Sequence, residues 1–187
     1  MADVKPISVG LPWNSERPHV LVVACSDGRL QVATDAFLGH HLGVSDYDRL
    51  YVPGGGGALS PSGRDFIRAA QHQQECRYLV EVHDVEALVL LFHGPAADGP
   101  PESVCADYAR KQPSASIEQV RLQQEKDVAE LLESRWQWAG SAAVAVYRCE
   151  ISAARSLSFV TLHSDRGFAA RAAAARIPPT VQIRRGK

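Results

Sequence analysis

The chain has no two cysteines close together. Its four, Cys25, Cys76, Cys105 and Cys149, are widely spaced and form no Cys-x-x-Cys unit. That spacing argues against a disulfide framework and against an all-cysteine zinc knuckle. It makes a reducing, cytoplasmic compartment the expectation. Long apolar runs are also missing: none approaches the roughly 20 residues that a membrane-spanning helix needs. No membrane partner is therefore expected. Residues 1–18 are polar and hold no apolar stretch of the kind a secretory signal carries. The formal net charge is only −1, which gives no global attraction to nucleic acid or an anionic surface. There is no internal repeat.

What remains is ordinary for one globular domain spanning 1–187, with residues 1–18 as an N-terminal arm and 163–187 as a C-terminal tail. At 45% hydrophobic and 22% charged residues, a chain of this length can bury a sizeable core. Val20-Leu21-Val22-Val23-Ala24 is continuously apolar, the pattern of a strand buried on both faces in a parallel sheet. It runs into Cys25-Ser26-Asp27-Gly28-Arg29. Ala87 to Phe92 has the same construction and runs into His93-Gly94. In open α/β sheets, ligands bind beyond the carboxyl ends of strands, at a switch point. Two buried strands that each end in a soft-metal donor mark a candidate site.

Taken in order, prolines 6, 12 and 18 interrupt the arm. Leu30 to Leu42 predicts a helix stopped by Gly43. Arg49 to Val52 predicts a short strand, followed by a turn at Pro53-Gly54-Gly55-Gly56-Gly57. A helix follows from Pro61 to about Arg77. Residues 94–113 are rich in Gly, Pro and small side chains and predict mainly loop. Ser116 to Trp138 predicts a long helix, with apolar residues near a 3.6-residue period and opposite charges four apart. Ala142–Ile151 and Leu157–Leu162 are too close in sequence for a parallel crossover and predict an antiparallel pair. An Ala/Arg helix broken at Pro178-Pro179 ends the chain. The fold class is therefore α/β: a mostly parallel sheet with helices on both faces and one antiparallel edge strand.

Cys25 and His93 are zinc-ligand types. Asp27 is close enough in sequence to reach the same metal or to accept a proton from its water. Arg29 can hold Asp27 in a bidentate pair that keeps it ionised. Each residue also has a plainer explanation: Cys25 as core filler, His93 as a structural histidine, Asp27 with Arg29 as a helix cap, the glycine run as a flexible loop. Spacing excludes a cysteine-dependent phosphatase loop, which places arginine six residues after the cysteine, where this chain has Gln31.

Cys25-Ser26-Asp27-Gly28-Arg29 resembles the Cys-x-Asp-x-Arg signature of the β-class carbonic anhydrases. The order that follows is similar too: a Gly-rich turn, a helix, then an apolar strand into His93-Gly94. The resemblance covers about residues 18–162. It implies a zinc lyase acting on carbon dioxide/bicarbonate or a related small electrophile. Cys25 and His93 match one cysteine and the histidine of a ligand set of two cysteines and one histidine. Asp27 and Arg29 match the dyad that gates the metal-bound water. It also implies a homodimer or larger even-numbered oligomer; the arm, with Val4, Ile7, Leu11 and Trp13 but no core of its own, is expected to lie across the partner and bury them there.

The chain departs from that pattern at the second cysteine. The family reads His-x-x-Cys-Gly, whereas here the position is Ala96, which has no donor atom. If the loop is two residues longer, Asp98 supplies the third ligand. Asp27 and Cys105 are the other sources. Without any of them the zinc site is broken, and the chain is a non-catalytic relative that binds a small anion or serves assembly.

Overall fold

The computed structural model describes residues 7–10, 13–62 and 65–175. Five strands form one sheet: β1 (Val20–Ala24), β2 (Asp48–Tyr51), β3 (Ala87–Pro95), β4 (Ala143–Ile151) and β5 (Leu157–Ser164). Their order across the sheet is β2-β1-β3-β4-β5. All neighbours are parallel except β4 and β5, which pair antiparallel as their short connection requires.

Alternation along the strands sends side chains into two cores, one on each face. Leu21, Val23, Leu88, Leu90, Phe92, Val144 and Val146 pack on one side. Covering them are α2 (Phe66–Val82), α3 (Ala106–Lys111) and α4 (Ile117–Glu133), through Cys76, Val80, Tyr108, Val120, Val128 and Leu131. On the other face Val20, Val22, Val89, Leu91, Ala145 and Tyr147 meet α1 (Gln31–Phe37) and α5 (Phe168–Ala174) through Phe37, Phe168 and Ala172. Helices thus lie on both faces. Phe37 also stacks on Phe159 of β5 at 4.0 Å between ring centroids.

Several local expectations are corrected. The segment expected as one helix over 30–42 begins as a 3-10 turn at Gly28–Leu30, becomes α1, and closes in a π-helical turn at Leu38–Leu42. α2 starts later and runs further than the expected 61–77. α4 opens on a capping box between Ser116 and Gln119 and stops at Glu133, ahead of a 3-10 turn at Arg135–Gln137. Residues 94–113 are not mainly loop. β3 continues through Pro95 because β4 pairs with it as far as Ile151, and α3 forms over Ala106–Lys111. Of the arm, Val4 and Leu11 lie outside the described residues, while Ile7 and Trp13 are 95% and 88% exposed in the single chain. Pro178 and Pro179 also lie outside them. Among the described residues no helix is long and apolar enough to cross a membrane.

Candidate metal centre

The strand order places a switch point beside β1. From β1 the chain forms β2 on one side, then returns to form β3 on the other. α1 and α2, the two connections, lie on opposite faces. Their divergence opens a crevice beyond the carboxyl ends of β1 and β3. Cys25 is the first residue after β1. Its surroundings are pinned by Val52, whose amide donates to Ala24 O (3.0 Å) and whose carbonyl accepts from the Ser26 amide (3.2 Å).

His93 sits inside β3, opposite Cys149 of β4. Helix α4 fixes its main chain. The buried Gln124 donates from Nε2 to His93 O at 2.9 Å. Arg121 donates to Pro95 O at 3.0 Å and to Glu150 at 2.9 Å. These polar residues interrupt the apolar stripe of α4, and that interruption was their signal in the sequence.

The glycine run is an ordered, buried element rather than a flexible loop. Residues Gly55–Leu59 form a buried 3-10 turn. Gly54 and Gly55 have φ of 101° and 55°, the left-handed region that glycine enters without strain. A side chain on Gly55 would meet the backbone of Cys25 and Leu91, and one on Gly57 would stand 2.5 Å from Tyr108 Oη. The turn is wedged between the strand ends and α3, so only glycine fits there.

That wedge brings α3 to the site. Tyr108 is buried in the core and its hydroxyl donates to Asp127 Oδ2 at 2.5 Å. Cys105 immediately precedes α3. One donor atom each from Cys25, His93 and Cys105 lie within 4.8 Å of one another. Of the three sources the sequence left open for a third donor, Cys105 is the one that joins this group. Asp98 is exposed in a turn closed by Gly99 N–H to Ala96 O (3.0 Å) and is not part of the group. The turn is tied back to β4 by Ala96 N–H to Ile151 O at 2.9 Å, which holds it at the rim. The chain then returns through a 3-10 turn at Pro101–Ser103.

Electrostatics at the group are asymmetric. The Cys105 thiol donates to Cys25 and, with His93 and the Gly54 amide, holds the Cys25 thiol down to about 4 against the opposing effect of burial. Cys105 is pushed up by the same contact and by its own burial. His93 Nε2 is buried without a hydrogen-bond partner in the structure. Burial alone pushes Cys76 up to about 12, and burial with the nearby Glu150 charge does the same for Cys149. These two remain inert thiols.

Asp27 and Arg29 form the pair expected of them. Asp27 Oδ1 accepts from the Arg29 amide (3.1 Å) and Nε (2.9 Å), and Oδ2 accepts from Nη2 (2.5 Å). Arg29 holds the carboxyl at about 2, well below its ordinary value. The same carboxylate caps the 3-10 turn by accepting from the Arg29 amide. Asp27, Arg29 and His93 line a cleft of ≈ 170 Å³ whose other wall includes Leu30, Pro100, Ile151 and Leu157.

No family model matches the chain, and no curated protein matches it. Solved structures similar to it include the β-carbonic anhydrase CafA of the fungal pathogen Aspergillus fumigatus, at 15% identity and a TM-score of 0.44, covering 87% of this chain and 85% of that one. Another is β-carbonic anhydrase isoform I from the protozoan Trichomonas vaginalis, at 13% identity and a TM-score of 0.39, covering 82% and 87%.

Proposed function

We propose that this protein is a zinc lyase of the β-carbonic-anhydrase kind, acting on carbon dioxide/bicarbonate or a related small electrophile, with Cys25, His93 and Cys105 as its metal ligands. The observation that carries the reading is the convergence of two sulfurs and an imidazole within 4.8 Å at the switch point. The unpartnered, buried His93 Nε2 beside them is the kind of polar atom that needs a ligand.

The donor set fits zinc. Zinc–sulfur and zinc–nitrogen bonds are ~2.3 Å and ~2.0–2.1 Å, so donors sharing one ion lie within roughly twice those lengths. Two soft thiolates favour zinc over magnesium or calcium. Three protein ligands leave the fourth tetrahedral position open. Cys25, His93 and Cys105 would hold the ion, which would supply a water ionised near neutral pH as the nucleophile.

The chain's own residues supply the rest. Asp27, kept ionised by Arg29, can only accept hydrogen bonds, so it orients a water or hydroxyl at the cleft floor by taking its proton in a hydrogen bond. Arg29 fixes the direction of that acceptor through its fork. Leu30, Ile151 and Leu157 give the cleft an apolar wall, suited to an uncharged, weakly hydrated substrate. Gln124 holds the His93 main chain and with it the ring's position.

Stopped-flow hydration of carbon dioxide by zinc-replete protein tests the proposal. Wild type should exceed the buffer rate and Asp98→Ala should match wild type. Cys105→Ser should fall to the buffer rate, and Arg29→Ala should retain zinc but lose roughly 10–100-fold in rate, as for other partners of a metal site. A zinc-replete wild type with no rate above buffer, or an active Cys105→Ser beside an inactive Asp98→Ala, contradicts it.

A further inference from the structure

The geometry points to the pair of half-buried Arg68 and buried Asp107 as a positioning device that sets Cys105 against Cys25. This rests on the metal-ligand reading above and extends it to residues that touch neither metal nor substrate. Arg68, on α2, donates from Nη1 to Asp107 Oδ1 at 2.6 Å and from Nη2 to the carbonyl of Pro53. Its two acceptors belong to the segment that carries Cys105 and to the glycine turn that packs on the backbone of Cys25. Pro53 opens the turn whose Gly55 leaves no room for a side chain against the Cys25 amide. Asp107 lies two residues after Cys105, in the first turn of α3.

The contact between those segments is close. The Asp107 side chain is 3% exposed, and a Cβ on Gly54 would stand 2.7 Å from Asp107 Oδ2. Lys111, at the other end of α3, donates to Gly57 O at 2.7 Å and lies 3.8 Å from Asp107. Thus both ends of α3 are tied to the glycine turn.

Why an ion pair serves here follows from its energetics. A buried pair gains little net stability, because desolvation offsets the attraction. A guanidinium fork does specify geometry, since it fixes two acceptors at a set spacing. α3 has only six residues, too few to hold a helical register by cooperativity alone. An apolar contact would let it slide, whereas the fork sets one position for Cys105.

Cobalt(II) substitution reads this directly, because thiolate-to-cobalt charge transfer scales with the number of sulfur ligands. The comparison is wild type, Arg68→Met, Arg68→Lys and Asp107→Asn, with Cys105→Ser as the one-thiolate reference. Iodoacetamide labelling of the metal-free proteins, resolved by cysteine, is the second measurement. The three latch variants should fall towards the Cys105→Ser intensity and bind cobalt roughly tenfold more weakly, in the range for outer-shell partners of metal ligands. Arg68→Lys should fail with Arg68→Met, because lysine keeps the charge but loses the fork. Cys105 should label faster in each, while the buried Cys76 and Cys149 keep their wild-type rates.

Variants that retain two-thiolate intensity and wild-type affinity overturn the proposal. So does equal acceleration at Cys76 and Cys149, which would make the pair a general prop of the fold. A wild type without the two-thiolate band removes the metal site itself, and the latch with it. That result is distinct from variants that differ from an intact wild type.

Discussion

Asp27 illustrates how a short-range pattern fixes chemistry. It and Arg29 are two residues apart, and the turn between them lets the guanidinium and amide reach one carboxylate. The carboxyl is shifted down from 3.8 to about 2, with the Arg29 side-chain bonds as the largest cause. A folded-state pKa below the unfolded value means that this pair supports the fold above the ordinary carboxyl pKa. The support is lost as pH falls through about 2. Carboxyl-detected NMR titration should therefore give Asp27 a midpoint near 2 in wild type, rising towards the ordinary ~3.9 in Arg29→Ala. An ordinary midpoint in wild type would show that the pair is not formed in solution. Cys25, Asp27, Arg29 and His93 were legible in the sequence because each sits at or near the end of a recognisable strand. Cys105 was not, since its position depends on the path of a Pro- and Gly-rich segment that no local pattern describes.

At the level of elements, continuous apolar runs located β1 and β3, and the short connection gave the antiparallel β4–β5 pair. The carboxyl end of β3 was missed. His93-Gly94-Pro95 has little strand propensity, yet pairing with Cys149, Glu150 and Ile151 carries the ladder through it, a tertiary effect overriding local preference. α3 was missed because six residues between Pro101 and Pro113 carry too little periodicity to register. The glycine turn was located but its rigidity was not, since the cause is contact with Cys25, Leu91, Phe92 and Tyr108, all distant in sequence. This makes a clear prediction. Gly57→Ala forces a methyl against the buried Tyr108 and should destabilise the protein by about 1–3 kcal/mol in chemical denaturation. Gly39→Ala, with open space around its Cβ, should be neutral or gain up to about 1 kcal/mol. Equal stabilities for the two variants would contradict the packed-turn account.

For the whole molecule, the number and type of strands were readable, but their lateral order was not. Nothing local states that β3 returns to the far side of β1, and that return is what creates the crevice. Once it is made, two helices on opposite faces diverge at the ends of β1 and β3, and the three donors meet there without distortion of either strand. The site is thus a property of topology as much as of motif. Ala96, at the second-cysteine position of the signature the sequence resembles, has no donor atom, and the segment leading into α3 brings Cys105 to within 4.8 Å of Cys25 and His93. Zinc content of the protein purified without added metal tests this most directly. The account predicts about one zinc per chain in wild type and in Asp98→Ala, and almost none in Cys105→Ser. A metal-free wild type, or a Cys105→Ser protein that retains its full zinc, would contradict it.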